Sequence, residues 1–235
     1  MADTLPKLDG DRSTRRTQLP EEVASYVREL IISGAVRPGT FLRLEPIAEA
    51  VGVSNTPVRE GLLALRSEGF VQLVPRRGFV VAPFSRQDVR DIFWAQAHLA
   101  GELCARAAEQ ITPETVIELE TCLARYEKAY AAGDRERMVR LGHDFHRAIN
   151  LASGSHRLAL VLGTVTKQLP NRFYASIDGD DATHEEHPAL LAALKAGDPV
   201  AARSLMEHHI SSRAEHLIDA LEQQGLWREN ESSAS

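Results

Sequence analysis

The sequence predicts a mostly α-helical protein with two parts, a small N-terminal unit of three helices plus a two-stranded hairpin and a larger all-α, antiparallel helical bundle. Three observations lead to this fold class. Apolar residues recur at helical spacing through most of the chain. Two β-rich runs, FVQLV and FVVAP, flank the short turn PRRG. Beyond Pro83 no strand-like alternation is visible in the sequence.

Length and composition indicate a globular protein of two domains. The chain has 235 residues, of which 43% are hydrophobic and 26% charged, so it can bury a sizeable core. Its two cysteines, Cys104 and Cys122, lie far apart in predicted helices and do not suggest a disulfide framework. No apolar run approaches the roughly 20 residues that span a bilayer, and the N-terminus lacks a signal-like segment. We therefore expect a cytoplasmic protein without a membrane partner.

Charge is distributed unevenly along the chain. The net charge is −6, but residues 1–90 hold 13 Lys and Arg against 11 Asp and Glu, while residues 91–235 hold 14 against 22. The first part is therefore weakly basic and the second acidic. This pattern favours local DNA contact by a few arginines over a broad basic surface.

Residues 47–70, IAEAVGVSNTPVREGLLALRSEGF, predict two short helices joined by a tight turn at Gly52. Ser54 or Asn55 can cap the second helix, and Pro57 fits its first turn. One face of this helix is apolar through Val58, Leu62 and Leu65, and its start exposes the polar residues Asn55, Thr56 and Arg59. This is the helix-turn-helix layout that enters a DNA major groove.

The flanking segments complete a winged helix-turn-helix. Residues 20–33 predict a helix with Pro20 in its first turn, and residues 1–18 are expected to be a flexible tail. The β-rich runs after Gly69 predict a hairpin, or wing, with Arg76 and Arg77 at its tip and Gly78 allowing close backbone approach.

The pattern LIISGAVRPGTFLRLEPIAEAVGVSNTPVREGLLALRSEGFVQLVPRRGFVV resembles the winged-helix domain of the GntR family of bacterial transcription regulators. The resemblance covers nearly all of residues 20–82, assigned here as a DNA-binding domain over 19–82. It implies that Arg59 and the wing contact operator DNA and that Arg43 lies close to phosphates. The candidate DNA-binding residues are Arg43, Ser54, Asn55, Thr56, Arg59, Arg76, Arg77 and Gly78.

Asn55 departs from that family pattern. The family commonly reads Ser-Arg-Thr-Pro-Val-Arg where this chain has SNTPVR at residues 54–59. Arginine is the usual bidentate partner of guanine, whereas asparagine suits adenine. We therefore expect a different operator preference at the base pair that Asn55 faces.

The remainder predicts a helical domain over residues 83–225, followed by a flexible tail over 226–235. Turn residues place the helices at about 85–110, 112–132, 134–152, 155–178, 184–196 and 198–224. Ser85 with Asp88 resembles a capping box at the first of them. Pro170 is expected to kink the fourth.

All nine histidines lie beyond residue 97. His146, His187 and His209 fall on three different predicted helices, and in a bundle their faces can converge. Neutral imidazoles are common ligands of Zn, Ni and Mn. The spacing alone leaves open a metal site or ordinary surface and capping roles.

The patterns FHRAINLASGS, EHPALLAALKAGD and AARSLMEHHI resemble the helical effector-binding and dimerisation domain of the FadR-type branch, the FCD domain, over residues 85–222. Many relatives hold a divalent metal with one Asp and three His, and His146, His187 and His209 fall on the His positions. Gly142 stands where the Asp is expected. Three alternatives follow: three histidines plus water, a site assisted by His143, or no metal.

The resemblance also directs attention to a central pocket. Relatives often carry an Arg and a Glu where this chain has Gln96 and Ala100, so a simple carboxylate ligand does not follow from the family pattern. The polar residues expected to line an effector pocket are Gln96, His98, Asn150, Arg147, Arg172 and Tyr174.

These observations predict a ligand-responsive transcription regulator that binds a palindromic, double-stranded operator as a homodimer. A small metabolite, with an organic acid as one candidate class, is expected to bind in the helical domain and alter DNA affinity. One alternative is a DNA-binding dimer whose helical domain is degenerate and unresponsive. A His-metal enzyme with a regulatory head is the remote alternative, since no nucleophile–base constellation is visible.

Overall fold

The computed structural model describes residues 10–169, 181–223 and 225–227. These residues fall into two compact units. One comprises the chain up to Phe84 together with the residues from Leu221 onward, and the other comprises Ser85–Ala220. The first division lies close to the expected boundary between residues 82 and 83. The second division, between Ala220 and Leu221, differs from the expected end of the helical domain at residue 225, because the residues from Leu221 onward belong to the first unit.

The first unit contains helices α1 (Gly10–Ile32), α2 (Leu44–Val51) and α3 (Asn55–Ser67) and a small antiparallel sheet. Strands β2 (Val71–Val74) and β3 (Gly78–Val81) form the expected hairpin, and β1 (Phe41–Leu42) pairs with the other side of β3. The winged helix-turn-helix is thus confirmed. Sequence reasoning missed β1, because a strand of two residues is too short to show alternation.

Helix α1 begins at Gly10 and contains Pro20 in its interior, whereas we expected a tail through residue 18 and a start at Pro20. The segment before Pro20 is polar, so it lacks the apolar period from which a helix is recognised. Past Pro20, α1 packs closely on α3. A Cβ added at Gly61 would lie 2.7 Å from the Pro20 carbonyl oxygen and 3.0 Å from Val23 Cβ. Glycine at this position therefore lets the two helices approach.

The second unit is a helical bundle. Its elements are α4 (Arg86–Gln110), α5 (Pro113–Ala131), α6 (Arg135–Ala152), α7 (His156–Thr166), α8 (Asp181–Ala196) and α9 (Pro199–Ser211), and α10 (Arg213–Gln223) continues from it. The expected capping box starts α4, with Ser85 Oγ accepting from the Asp88 backbone N–H and Asp88 accepting from that of Ser85. Helix α4 is central, since α6, α7, α8 and α9 all pack against it.

Two helices differ from their expected lengths. Helix α7 ends at Thr166, and in the turn that follows the Leu169 N–H donates to the Thr166 carbonyl oxygen. Leu169 precedes Pro170, and the residue before a proline disfavours helical geometry, so the helix does not resume there. The expected kink at Pro170 lies outside the described residues. The helix expected over 198–224 is interrupted at Ser212. There, the side chains of Ser212 and Arg213 both donate to the His209 carbonyl, a type of contact that bends helices.

The C-terminal end of the described chain packs into the first unit instead of forming a tail from residue 226. Leu221 and Leu226 are buried. The Trp227 indole N–H donates to the Phe84 carbonyl oxygen at 2.6 Å, and the Phe84 ring lies 6.0 Å from that of Phe70. No helix within the described ranges has the length and apolar character needed to cross a membrane.

Candidate functional site

The turn between α2 and α3 exposes the start of α3. Gly52 has a left-handed φ of 74°, which ends α2, and Ser54 in extended geometry starts α3 without a capping bond from its side chain. Val58, Leu62 and Leu65 are fully buried. The face that remains outside carries the candidate contact residues Ser54, Asn55, Thr56 and Arg59, all exposed.

The wing exposes Arg76 and Arg77 at its tip. Arg76 has a φ of 62° and Gly78 one of 97°, so two left-handed residues make the tight turn. The Arg77 guanidinium lies 4.3 Å from the centre of the Phe41 ring, a cation–π contact with the neighbouring strand β1. Arg43 is exposed between β1 and α2. Sequence reasoning missed Phe41, because only the sheet pairing brings it beside the tip.

In the second unit, α6, α8 and α9 bring together His146, His187 and His209. Their potential ligand atoms all lie within 4.8 Å of one another. His146 Nε2 and His209 Nε2 are 3.0 Å apart. His187 and His209 are buried and His146 is half-buried. The three imidazoles that we expected to converge therefore do so.

Burial lowers the pKa of all three imidazoles well below its usual range, and neighbouring imidazoles and Arg213 lower it further. They are consequently neutral near pH 7, the form that binds a metal. His209 Nδ1–H donates to Glu186 Oε2 at 2.7 Å. Because a neutral imidazole carries one proton, His209 Nε2 is left with its lone pair facing His146. A carboxylate in this position orients a metal-ligating histidine.

The donor set fits a divalent metal. Neither ring nitrogen of the buried His187 has a hydrogen-bond partner among the described residues, although buried polar atoms are normally paired. With metal–nitrogen distances of about 2.1 Å, ligands at tetrahedral or octahedral angles lie roughly 3.0 to 3.4 Å apart. The His146–His209 pair already satisfies this spacing, and the ligand atoms of all three histidines lie within 4.8 Å of one another.

Gly142 faces this cluster, because it lies one helical turn before His146 on α6. A Cβ built at Gly142 would lie 3.9 Å from His187 Cε1, an ordinary contact that leaves room for a side chain. His143 is exposed and lies outside the group of three. The arrangement therefore favours three histidines over a site assisted by His143.

A cavity of about 620 Å³ opens beside the cluster and includes His146 and His209 in its wall. Three of the residues expected in an effector pocket line it: Gln96, Arg147 and Asn150. His98 does not. It is exposed on another face of α4, with its Nδ1 bonded to the Trp94 carbonyl oxygen and its ring 4.3 Å from that of Trp94. Arg172 and Tyr174 lie outside the described residues.

Sequence reasoning missed two residues of this site, Glu186 and Arg213. Arg213 lines the cavity and is only 5% exposed. It lies four positions after His209, so the helical register offered a signal that both share a face. Glu186 immediately precedes His187, but its contact with His209 joins residues 23 positions apart and depends on tertiary packing.

Two family models match the chain. One, described as bacterial regulatory proteins of the gntR family, matches residues 19–81. The other, described as the FCD domain, matches residues 91–212. Together they cover most of both units and the segments that carry both candidate sites, except Arg213, which lies one residue beyond the second match.

Curated relatives match most of the chain. The regulator McbR of Escherichia coli K12 is 29% identical over 196 residues, which cover 81% of this chain and 89% of McbR. The Glc operon transcriptional activator of the same strain is 30% identical over 185 residues, covering 69% of this chain and 72% of the activator. The transcriptional repressor GlaR is 28% identical over 219 residues, 88% of this chain and 93% of GlaR.

Solved structures agree with the fold. The structure of E. coli McbR/YncC gives a TM-score of 0.62 at 28% identity, covering 88% of this chain and 98% of that one. A putative GntR regulator from Rhodococcus sp. RHA1 gives a TM-score of 0.57 at 22% identity, covering 86% and 98%. The latter likeness concerns the fold alone.

Proposed function

Since the chain belongs to the GntR family of bacterial transcription regulators and carries an effector-binding FCD domain, we propose that it is a ligand-responsive homodimer that binds a palindromic operator. Its family and relatives are transcription regulators and not enzymes, as the sequence predicts. Each winged unit contacts one half-site, because a two-fold symmetric protein matches a two-fold symmetric DNA sequence.

The first unit supplies the DNA contacts in this proposal. The exposed start of α3 enters the major groove, where Arg59 and Asn55 contact base edges and Asn55 favours adenine. Arg76 and Arg77 at the wing, together with Arg43, contact phosphates. Support comes from their shared exposure and from the buried opposite face of α3, which fixes the helix orientation.

The effector in this proposal is a small organic acid, and the proposal is based on the residues that line the cavity. Among the described residues that line it there are two arginines and four histidines but no Asp or Glu. The two guanidinium groups attract anions, and the burial of Arg213 strengthens the attraction because charges interact more strongly away from water. Gln96, Asn150 and Thr166 add neutral hydrogen-bonding groups.

The histidine cluster is proposed to hold one divalent ion, with Zn, Ni and Mn as candidates. The convergence of His146, His187 and His209 and their neutral state support this role. A bound ion supplies positive charge at the cavity wall and so favours an acidic effector. Glu186 orients His209 toward the ion.

Elemental analysis of the purified full chain tests the metal site. We expect about one equivalent of metal in the wild type and none in His187→Ala. His216→Ala is the matched control, because His216 is exposed and outside the cluster. A metal content that is equal in all three proteins would contradict the proposed ligand set.

Selection from a pool of random DNA duplexes tests the regulatory function. We expect a palindromic consensus, followed by a change in its affinity when organic acids are added. A palindrome whose binding responds to none of a broad metabolite panel would instead support the degenerate, unresponsive alternative. Recovery of sequences without two-fold symmetry would overturn the palindromic-operator model.

A further inference from the structure

The described chain ends in a tight turn after α10, and this turn fixes the position of Trp227. Gly225 has a left-handed φ of 85°, and its N–H donates to the Glu222 carbonyl oxygen. The Leu226 N–H donates to the Leu221 carbonyl oxygen. These two bonds form the Schellman motif, which ends a helix at a defined residue. Leu221 and Leu226 are buried, so the backbone that carries Trp227 is held from the preceding side.

Trp227 binds the segment that leaves the wing. Its indole N–H donates to the Phe84 carbonyl oxygen at 2.6 Å, and Phe84 lies shortly beyond the end of β3. The Phe84 ring lies 6.0 Å from that of Phe70, which directly precedes β2. The Ala82 N–H donates to the Phe70 carbonyl oxygen at 2.9 Å. Phe70 and residues 82–84 thus form the base of the wing, and Trp227 is bonded to it.

Phe70 also joins the base of the wing to α1 and α3. The Arg28 guanidinium of α1 lies 5.8 Å from the centre of the Phe70 ring. The same group donates two bonds to Glu68 Oε2, at 3.1 and 2.7 Å, and Glu68 is the C-terminal cap of α3. Arg28 and Phe70 are both buried. The base of the wing therefore lies in one row of contacts that runs from the end of α3 to Trp227.

The base of the wing controls where its tip lies. Arg76 and Arg77 are at the opposite end of the hairpin. Strand β2 has four residues, so the tip lies about 13 Å from the base at about 3.3 Å per residue. A tilt of about 10° at the base moves such a tip by about 2 Å. Since donor and acceptor in a hydrogen bond lie about 2.7 to 3.2 Å apart, a displacement of this size breaks a contact with phosphate.

We propose that Trp227 is a positioning residue for DNA binding. Its bond to Phe84 fixes the base of the wing and so keeps the guanidinium groups of Arg76 and Arg77 directed at the phosphates. Trp227 itself does not touch DNA in this arrangement. The proposal rests on the proposed function, in which the wing contacts DNA.

A salt titration of DNA binding by the full chain tests the assignment, with a random-sequence duplex as the probe. The variants are Trp227→Phe, which removes the N–H donor but keeps an aromatic ring, and Trp227→Leu, which removes both. Trp94→Phe is the matched control, because Trp94 is exposed on α4 in the second unit. Each protein is assayed well below its own Tm, so that it remains folded and a change in basal stability does not alter the measured affinity.

We expect Trp227→Phe to bind the duplex about three- to tenfold more weakly than wild type, the range that one hydrogen bond spans. Trp227→Leu should bind at least as weakly. In both variants the slope of log affinity against log salt should fall by about one to two phosphate contacts, which a loss of stability alone does not produce. Trp94→Phe should match the wild type in affinity and slope.

The same substitution in an Arg76→Ala, Arg77→Ala background completes the test. Trp227→Phe should cause little further loss there, because the contacts that Trp227 positions are already absent. Wild-type affinity and slope in both Trp227 variants would overturn the role of Trp227 and leave DNA binding by the wing in place. An undiminished loss in the background without the wing arginines would overturn it as well. A wild type that does not bind the duplex even at low salt would overturn both this role and the proposed function.

Discussion

Gly142 occupies the position beside the histidine cluster at which many relatives carry an aspartate ligand, so this cluster has no charged ligand from that position. Its Cβ position lies 3.9 Å from His187 Cε1, so a short side chain placed there reaches the imidazoles without a clash. We expect Gly142→Asp to bind zinc at least about tenfold more tightly than wild type, because a carboxylate adds a fourth, anionic ligand. Competition with a chromogenic chelator measures the affinity.

Gly142→Asn is the control for that experiment, since it matches the volume of Asp without its charge. It should leave the zinc affinity near the wild-type value. If Asn and Asp raised the affinity equally, the gain would come from changed helix stability instead of ligation.

Phe41 is the second residue with a specific expected effect, through its contact with Arg77. A guanidinium stacked on an aromatic ring keeps its N–H edges directed outward, which prepares it to bind phosphate. We expect Phe41→Leu to weaken binding to a non-specific duplex by about two- to fivefold. Phe41→Tyr, which keeps the ring, should bind like wild type. The affinity is measured over a series of salt concentrations.

Arg77→Ala should lower the salt dependence of DNA binding by about one phosphate contact. Adding Phe41→Leu to that variant should cause little further loss, because the ring then has no guanidinium to hold. Independent, additive losses from the two substitutions would show that Phe41 acts by another route.

The site residues that could be predicted from the sequence are those identified by residue type and by position on a helix. His146, His187 and His209 were identified by resemblance, and the structure brings them together. His98 and Gln96 are two positions apart on one helix, about 200° around its axis, so only one of them could face the cavity. The contact of Glu186 with His209 depends on how α8 packs against α9, which residue patterns do not encode.

At the scale of elements, periodicity located the helices of the bundle well where turn residues bound them. Periodicity did not locate helix ends at places where the backbone conformation is not reflected in the spacing of apolar residues. The polar start of α1 has no apolar face to detect, and the interruption at Ser212 arises from side-chain bonds to one carbonyl. The strand β1 depends wholly on its partner β3.

An ion-pair network joins α4 to α9 and gives the bundle an expected pH dependence. Glu102 accepts from Arg106 at 2.7 Å and pairs with Arg203 at 2.6 Å, and these bonds lower the pKa of its carboxyl group. A carboxylate with a lowered folded-state pKa stabilises the fold above its unfolded pKa. That contribution is lost as pH falls through the folded value.

Glu102→Gln should therefore unfold more easily than wild type at pH 7, by at most about 1 kcal/mol because the pair is partly exposed. The difference in free energy of unfolding should shrink as the pH is lowered through the acid range. Urea denaturation at several pH values measures it. Glu118→Gln, an exposed carboxylate on α5, is the control. A Glu102→Gln difference that grows toward acid pH would contradict the assignment.

At the scale of the whole molecule, the chain forms the first unit from two stretches of sequence and the second unit from the single stretch between them. The DNA-binding unit includes the residues from Leu221 onward, which follow the helical bundle in sequence. The polypeptide thus joins the two units twice, once after Phe84 and once before Leu221. The second of these joints lies within α10, and the first residue of that helix, Arg213, lines the cavity.

The bond between Trp227 and Phe84 gives the protein a built-in optical reporter. The chain has two tryptophans, and Trp94 is 63% exposed on α4. In a Trp94→Phe variant, all indole fluorescence therefore comes from Trp227, whose ring N–H donates to the Phe84 carbonyl oxygen. The emission of Trp227 should shift to longer wavelength when its bond to Phe84 breaks, because the ring then becomes more exposed to water. Adding an acid or a duplex to that single-tryptophan protein would then reveal, without any attached dye, whether either one loosens the turn that contains Trp227.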